Sequence, residues 1–338
     1  MKVYLIHNPV AGQHDHTAEL DEVVAYLGQQ GWDVTIKRTQ DESDATAFAR
    51  EAVDNHCDMA IAVGGDGTLG QVASGLAKSD VTLGLIPVGT GNVWARLFNI
   101  PIWTPTNRSG LMDAAKLLID GKVKRIDLGR VRDRYFVLYA GLGIDAALAN
   151  QVEPHRELRR NLGNVTYVVA AASMSLQMRG TRATIVIDGQ VTRQRVLLVL
   201  VTNVPVYGTV WVAPQAKLDD GYLDVFLFKG ENALDVLSHT VKMMVGSSAG
   251  DPRIEYYRAK RVEVYGTNRL PIQVDGDPLG DTPAIISVEP QTLNVLIPTN
   301  TPDGFFDGNE SANPGYYTLL QRILDSARNA IPHEEDAE

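Results

Sequence analysis

Three glycine-rich turns stand in the first third of the chain, and each follows a short apolar run. They are Asn8-Pro9-Val10-Ala11-Gly12, Gly64-Gly65-Asp66-Gly67-Thr68 and Gly89-Thr90-Gly91-Asn92. Glycines in such turns let backbone amides approach phosphate oxygens closely, and the N-terminus of a following helix favours an anion. The middle turn is the most specific of the three. Its Asp66 would repel a bare phosphate, so it calls for a Mg²⁺ between them or a hydroxyl that donates to it. The plainer reading is a tight strand-to-helix turn capped by Thr68. Residues Gly65 to Gly70 also fit the dinucleotide fingerprint, which asks for an acid about 20 positions on, at the end of the next strand. That strand ends in Pro87-Val88-Gly89-Thr90, without a carboxylate. No GxxxxGK[ST] loop occurs.

The elements around these turns alternate. Lys2–His7, Val34–Arg38, Met59–Val63 and Leu83–Val88 read as strands. Thr17–Gln30, Ser43–Asn55 and Leu69–Ala77 read as helices, with apolar residues at helical spacing such as Leu20, Val23, Val24 and Leu27. Such alternation predicts a parallel α/β sheet. The carboxyl ends of its strands share one edge, where ligands bind. All three turns therefore fall on that edge.

After about Gly121 the pattern changes to strands separated by Asp-Gly turns. Arg125–Val131, Tyr135–Tyr139, Ala183–Ile187, Val196–Thr202, Leu223–Phe228, Arg261–Tyr265, Ile272–Val274, Ala284–Val288 and Leu293–Ile297 predict a mostly antiparallel sandwich or flattened barrel. One helix, Leu162–Met178, interrupts them. The expected division is an α/β domain over 1–122, a β-rich acceptor domain over 123–298, and a linker with a C-terminal amphipathic helix over 299–338, which completes the first domain.

Composition narrows the chemistry. The 338 residues carry 31 basic and 41 acidic side chains, a net charge of −10. Binding to nucleic acid needs a basic surface that this balance does not advertise. Cys57 is the single cysteine, so a CxxC zinc or thiol site is excluded. The longest apolar run is about half of the roughly 20 residues that span a bilayer. The expectation is a cytoplasmic protein with peripheral membrane contact. His14-Asp15-His16 reads as a polar helix start rather than a metal cluster, and Arg156, Arg159 and Arg160 as a basic helix face.

Taken in order, the three turns resemble the diacylglycerol kinase catalytic-domain family. That family includes bacterial soluble lipid kinases and sphingosine kinases and is distantly similar to NAD kinases and phosphofructokinases. The second half extends the resemblance in Gly141-Leu142-Gly143-Ile144-Asp145, in Ala213-Pro214-Gln215-Ala216-Lys217-Leu218-Asp219-Asp220-Gly221 and in Asp275-Gly276-Asp277. It implies an α/β nucleotide-binding domain followed by a β-sandwich. Asn8, Pro9, Ala11 and Gly12 would contact the nucleotide, joined by Thr39, Thr90, Gly91 and Asn92. Gly64, Gly65, Asp66, Gly67 and Thr68 would hold the triphosphate, with Asp66 near the metal. Lys217, Asp220 and Tyr222 match a metal-binding loop, the lysine and tyrosine acting through backbone carbonyls. Asp275-Gly276-Asp277 looks like the family's Asp-Gly-Glu, which supplies the proton acceptor for the substrate hydroxyl. Two departures stand out: Asp277 is one methylene shorter than the usual Glu, and Val93-Trp94 replaces the Asp-Phe that many bacterial relatives carry.

Phosphoryl transfer needs positioning, a divalent cation and a group that orients the nucleophile. A carboxylate can take the hydroxyl proton in the transition state. By the strand period, Asp275 and Asp277 point to one side, with Asp275 the first choice of base. The expected activity is transfer of the γ-phosphate of ATP, with Mg²⁺, to a diacylglycerol-like lipid presented at a membrane surface. A soluble acceptor, a regulatory nucleotide-binding protein without catalysis, and a homodimer remain open readings.

Overall fold

The structure, a computed structural model, describes residues 1–12, 14–41, 43–144, 146, 180–208, 210–231, 235, 238–239, 251–301 and 304–307. The helices expected at Leu162–Met178 and Tyr316–Ala330, and the Arg156, Arg159 and Arg160 cluster, lie outside the described residues.

The first part is the predicted α/β unit. Strands β1 (Lys2–His7), β2 (Asp33–Arg38), β3 (Met59–Gly64) and β4 (Thr82–Pro87) are parallel in the order β2-β1-β3-β4. β3 and β4 are buried at every residue, as strands covered on both faces must be. Helices α1 (Thr17–Gln29), α2 (Asp44–Asp54) and α3 (Asp66–Leu76) follow the first three strands, and α4 (Val93–Leu97) and α5 (Gly110–Asp120) follow β4. α1 buries Leu20, Val23 and Leu27; α2 buries only alanines, so α3 packs closely against it.

The second part is an antiparallel β-sandwich. Its strands are β5 (Lys122–Val131), β6 (Arg134–Phe136), β7 (Tyr139–Gly143), β8 (Thr181–Ile187), β9 (Gln190–Thr202), β10 (Val206–Tyr207), β11 (Val210–Trp211), β12 (Leu223–Lys229), β13 (Ile254–Ala259), β14 (Arg261–Gly266), β15 (Pro271–Val274), β16 (Asp277–Asp281) and β17 (Ala284–Ile297). Val131, Phe136, Leu142, Ile185, Val199 and Ile272 belong to its core. The strand expected over Tyr135–Tyr139 is two strands, β6 and β7. Residues 137–138 break it because their amides turn to a buried carboxylate, described below.

The two strands expected at Ala284–Val288 and Leu293–Ile297 are one. β17 keeps its pairing with β5 on both sides of an irregularity between Glu289 and Leu293. Pro290 there has no N–H to give to a ladder, and Gln291 has φ +49°. The first half of β17 pairs with β14, and the second half pairs parallel to β4 through Asn294–Thr82 and Val295–Leu83. One strand thus belongs to the sheets of both parts. The segment expected as a linker also packs: Phe305 is buried and its ring lies 5.2 Å from that of Phe98.

Asp127 locks this junction. It stands alone among apolar neighbours on β5 and is fully buried. Its carboxylate accepts the Gly221 N–H at 2.6 Å and the Gln291 N–H at 2.7 Å. Asp127→Ala would leave both N–H groups without this partner and remove the tie between β5, the Gly221 turn and β17. The expected cost is about 3 kcal/mol, read as a lower urea midpoint with an unchanged slope.

Candidate active site

The carboxyl ends of β1, β3 and β4 bring the three glycine turns together, next to the point where chain order reverses beside β1. Backbone contact between turns explains the glycines. A Cβ on Gly12, which has φ +79°, would lie 2.0 Å from the Val88 carbonyl oxygen. One on Gly89 would lie 2.4 Å from the Cα of Gly65. The Asn8 amide donates to the Thr68 hydroxyl at 3.3 Å, and its Oδ1 accepts the Val10 N–H, shaping the first turn. Pro9 and Ala11 lie in that turn, and Thr39 is tied to it by its N–H to the His7 carbonyl at 2.9 Å.

Asp66 is the first residue of α3, but its carboxylate reaches across to the third turn. It accepts the backbone N–H groups of Val93 at 3.0 Å and Trp94 at 3.2 Å. It therefore caps α4, the helix that begins without its own acid, and burial raises its pKa. Thr90 and Gly91 are exposed. Asn92 is buried in a left-handed conformation, donates to the Gly89 carbonyl at 2.6 Å, and has an Oδ1 without a partner. That oxygen can accept only from a donor, such as a hydroxyl or an amino group, and not from a phosphate oxygen.

Asp275 lies in a two-residue hairpin loop, Asp275-Gly276, and Asp277 begins the strand after it. Asp275 has φ +49° and Gly276 φ +92°, the signs that an Asp-Gly turn joining β15 and β16 requires. Both carboxylates meet the same face of α3, but in different ways. Asp275 is buried, and its oxygens accept the N–H groups of Val137, Leu138 and Tyr139 at 2.9–3.0 Å. A Cβ on Gly70 would lie 2.7 Å from its Oδ2. Asp277 is part-exposed, with Oδ1 3.3 Å from where a Cβ on Gly67 would be. It pairs with Arg134 and accepts from the Gln71 amide at 3.2 Å. Arg134 and Gln71 carry no signal in the sequence, because only the fold brings them to the hairpin.

The Lys217, Asp220 and Tyr222 loop lies apart from this constellation. Lys217 donates to the Gly304 carbonyl at 2.6 Å. Asp220 accepts the Tyr222 N–H at 2.9 Å and pairs with Arg258, whose guanidinium lies 4.8 Å over the Tyr222 ring. The metal expected at this loop would draw on the Lys217 and Tyr222 backbone carbonyls and on the Asp220 carboxylate, which here pairs with Arg258. Among the described residues, no three His, Cys, Asp or Glu side chains gather as a metal site. His14 and His16 pack instead on Trp103, with ring centres at 4.6 and 4.9 Å.

The comparisons with known proteins agree with this arrangement. Residues 2–131 match the diacylglycerol kinase catalytic domain, and residues 138–297 match the YegS C-terminal NAD kinase beta sandwich-like domain. A diacylglycerol kinase of Bacillus subtilis is 32% identical over 297 residues, which cover 87% of this chain and 95% of that protein. The chain belongs to the diacylglycerol kinase family. A second relative of that name, from Staphylococcus carnosus, is 29% identical over 299 residues, covering 87% of this chain and 94% of its own. A solved diacylglycerol kinase from Bacillus anthracis superposes with a TM-score of 0.70 at 27% identity, over 88% of this chain and 97% of its own. Membership in this family makes the chain a lipid kinase, a phosphotransferase that uses ATP. Among the described residues no helix is long and apolar enough to cross a membrane.

Two outcomes follow from the geometry. Gly89→Ala would force the third turn off Gly65, so loss of ATP binding with an intact far-UV spectrum is expected, read by titration with a fluorescent ATP analogue. Burial also pushes the Asp275 carboxyl from an ordinary 3.8 up to about 7. The native state then holds a proton that the unfolded chain has released, so this group's contribution to stability falls as pH rises between about 4 and 7. Urea midpoints measured across that window should show a shallower fall for Asp275→Asn than for the natural chain.

Proposed function

We propose that the chain transfers the γ-phosphate of ATP to the hydroxyl of a diacylglycerol-like lipid, with Asp277 as the proton acceptor. The placement of Asp277 over Gly67, in the first turn of α3, carries this reading. Backbone amides of the Gly64–Thr68 turn and the N-terminus of α3 would hold the phosphates there. A hydroxyl between those phosphates and Asp277 lies within reach of both. Arg134 and Gln71 fix the orientation of the carboxylate.

The order of roles expected for the two aspartates is thereby exchanged. The oxygens of Asp275 are engaged by three backbone donors, so it positions the hairpin, and the less buried Asp277 acts on substrate. Mg²⁺ would travel with the triphosphate, since it keeps several waters and needs only one or two carboxylates besides phosphate oxygens. The apolar part of the acceptor would lie on the partly buried Tyr139 and Trp211, which pack against the core cluster.

The test is incubation with γ-labelled ATP, Mg²⁺ and lipid extract in mixed micelles. A labelled phospholipid is expected from the natural chain. Asp277→Asn should lower kcat by about 10²–10⁴-fold with ATP affinity kept, and Asp277→Glu should retain turnover. ATP binding without any labelled lipid overturns the reading, and so does full turnover by Asp277→Asn.

A further inference from the structure

The outer face of the sandwich, formed by β9, β8, β14 and β17, carries a pattern that catalysis does not use. Strand alternation sends Ala183, Ile185, Ile187, Val262 and Val264 inward, and their neighbours outward. Register places Arg182 directly opposite Arg195, and Thr184 between Arg193 and Tyr265. The next row runs Val191, Val186, Glu263, Ile285. Arg182, Arg195, Thr184, Arg193 and Tyr265 border a groove of about 530 Å³.

Two features of this face are independent. The first is charge. Like charges directly opposite on neighbouring strands are destabilising, yet three arginines adjoin here in a chain of net charge −10. Among the described residues, Arg182 and Arg193 have no carboxylate partner, and Arg195 reaches only Glu231 at 3.9 Å. The one carboxylate in these rows, Glu263, is held by Arg261 at 3.0 Å and by the Tyr265 hydroxyl at 2.6 Å. The second feature is apolar exposure. Val191, Tyr265 and Ile285 are 59%, 43% and 43% exposed, three of the few large apolar side chains left to solvent among the described residues.

We propose that this face docks the protein on an anionic lipid bilayer. Arginines without a carboxylate partner among the described residues, beside exposed aliphatic and tyrosine side chains, suit an interface where phosphate headgroups meet acyl chains. The proposal rests on the lipid-acceptor reading, since a kinase of a membrane lipid must hold to the surface that supplies it. It adds which face does so.

Co-sedimentation with vesicles of phosphatidylcholine alone, and of phosphatidylcholine with phosphatidylglycerol, tests it. Binding to the anionic vesicles only, weakening with salt, is expected. Arg182→Gln with Arg193→Gln should lower partitioning about 25-fold, at about fivefold for each arginine removed. Val191→Ser with Ile285→Ser should weaken binding while leaving its salt dependence unchanged. Equal binding by the arginine variant overturns the proposal. So does displacement by inorganic phosphate at constant ionic strength, which marks a discrete anion pocket. Turnover of short-chain diacylglycerol in detergent micelles separates the two readings. If the arginine variant turns it over normally yet binds vesicles like the natural chain, docking fails and the kinase reading stands. If the natural chain docks through these arginines but labels no lipid, the kinase reading fails and docking stands.

Discussion

The site depends on two backbones lying closer than side chains would permit. α3 presents Gly67 and Gly70 to the β15–β16 hairpin, and the hairpin answers with Asp277 and Asp275. A methyl at either glycine would meet a carboxylate oxygen. The same economy joins the turns to one another, through Gly12 against Val88 and Gly89 against Gly65. With side chains removed from the contacts, the amides that remain are the polar surface of the cradle. The glycines thus serve the fit of three loops to one another as much as the approach of a phosphate.

Buried carboxylates hold this arrangement in place, and they do so against backbone donors more than against cations. Asp66 takes the first amides of α4, Asp127 takes those of Gly221 and Gln291, and Asp275 takes three in succession. Each is desolvated, and burial raises each pKa. Charge-assisted bonds to N–H groups offset that cost in part. Asp277, which instead pairs with an arginine near solvent, keeps an oxygen accessible. The proposed division between structural and reactive carboxylates follows their partners, not their residue type.

Much of the frame was legible because its signals are local. Strand-turn-helix punctuation marks the α/β part, and a parallel sheet gathers its turns without further information. Asp275-Gly276 reads as a hairpin from two residues. What lay beyond reach depends on distant pairing. Arg134 meets Asp277 across 143 residues of chain, and nothing near either residue announces it. Asp66 shows the same difficulty: its sequence neighbours suggest a phosphate or metal ligand, while its partners belong to the helix whose missing acid it replaces. Ala284–Val288 and Leu293–Ile297 read as two strands, with Pro290 between them; β5 keeps the pairing going on either side of it.

The continuous β17 bears on motion. Many two-domain enzymes bend at a flexible linker to close on substrate. Here the crossing is a ladder of β5 and β17 pinned by Asp127, and a hydrogen-bonded ribbon resists bending about an axis in its own plane. The hairpin thus meets the cradle through a paired ribbon rather than a free linker, and the place where that ribbon can give is the irregularity between Glu289 and Leu293.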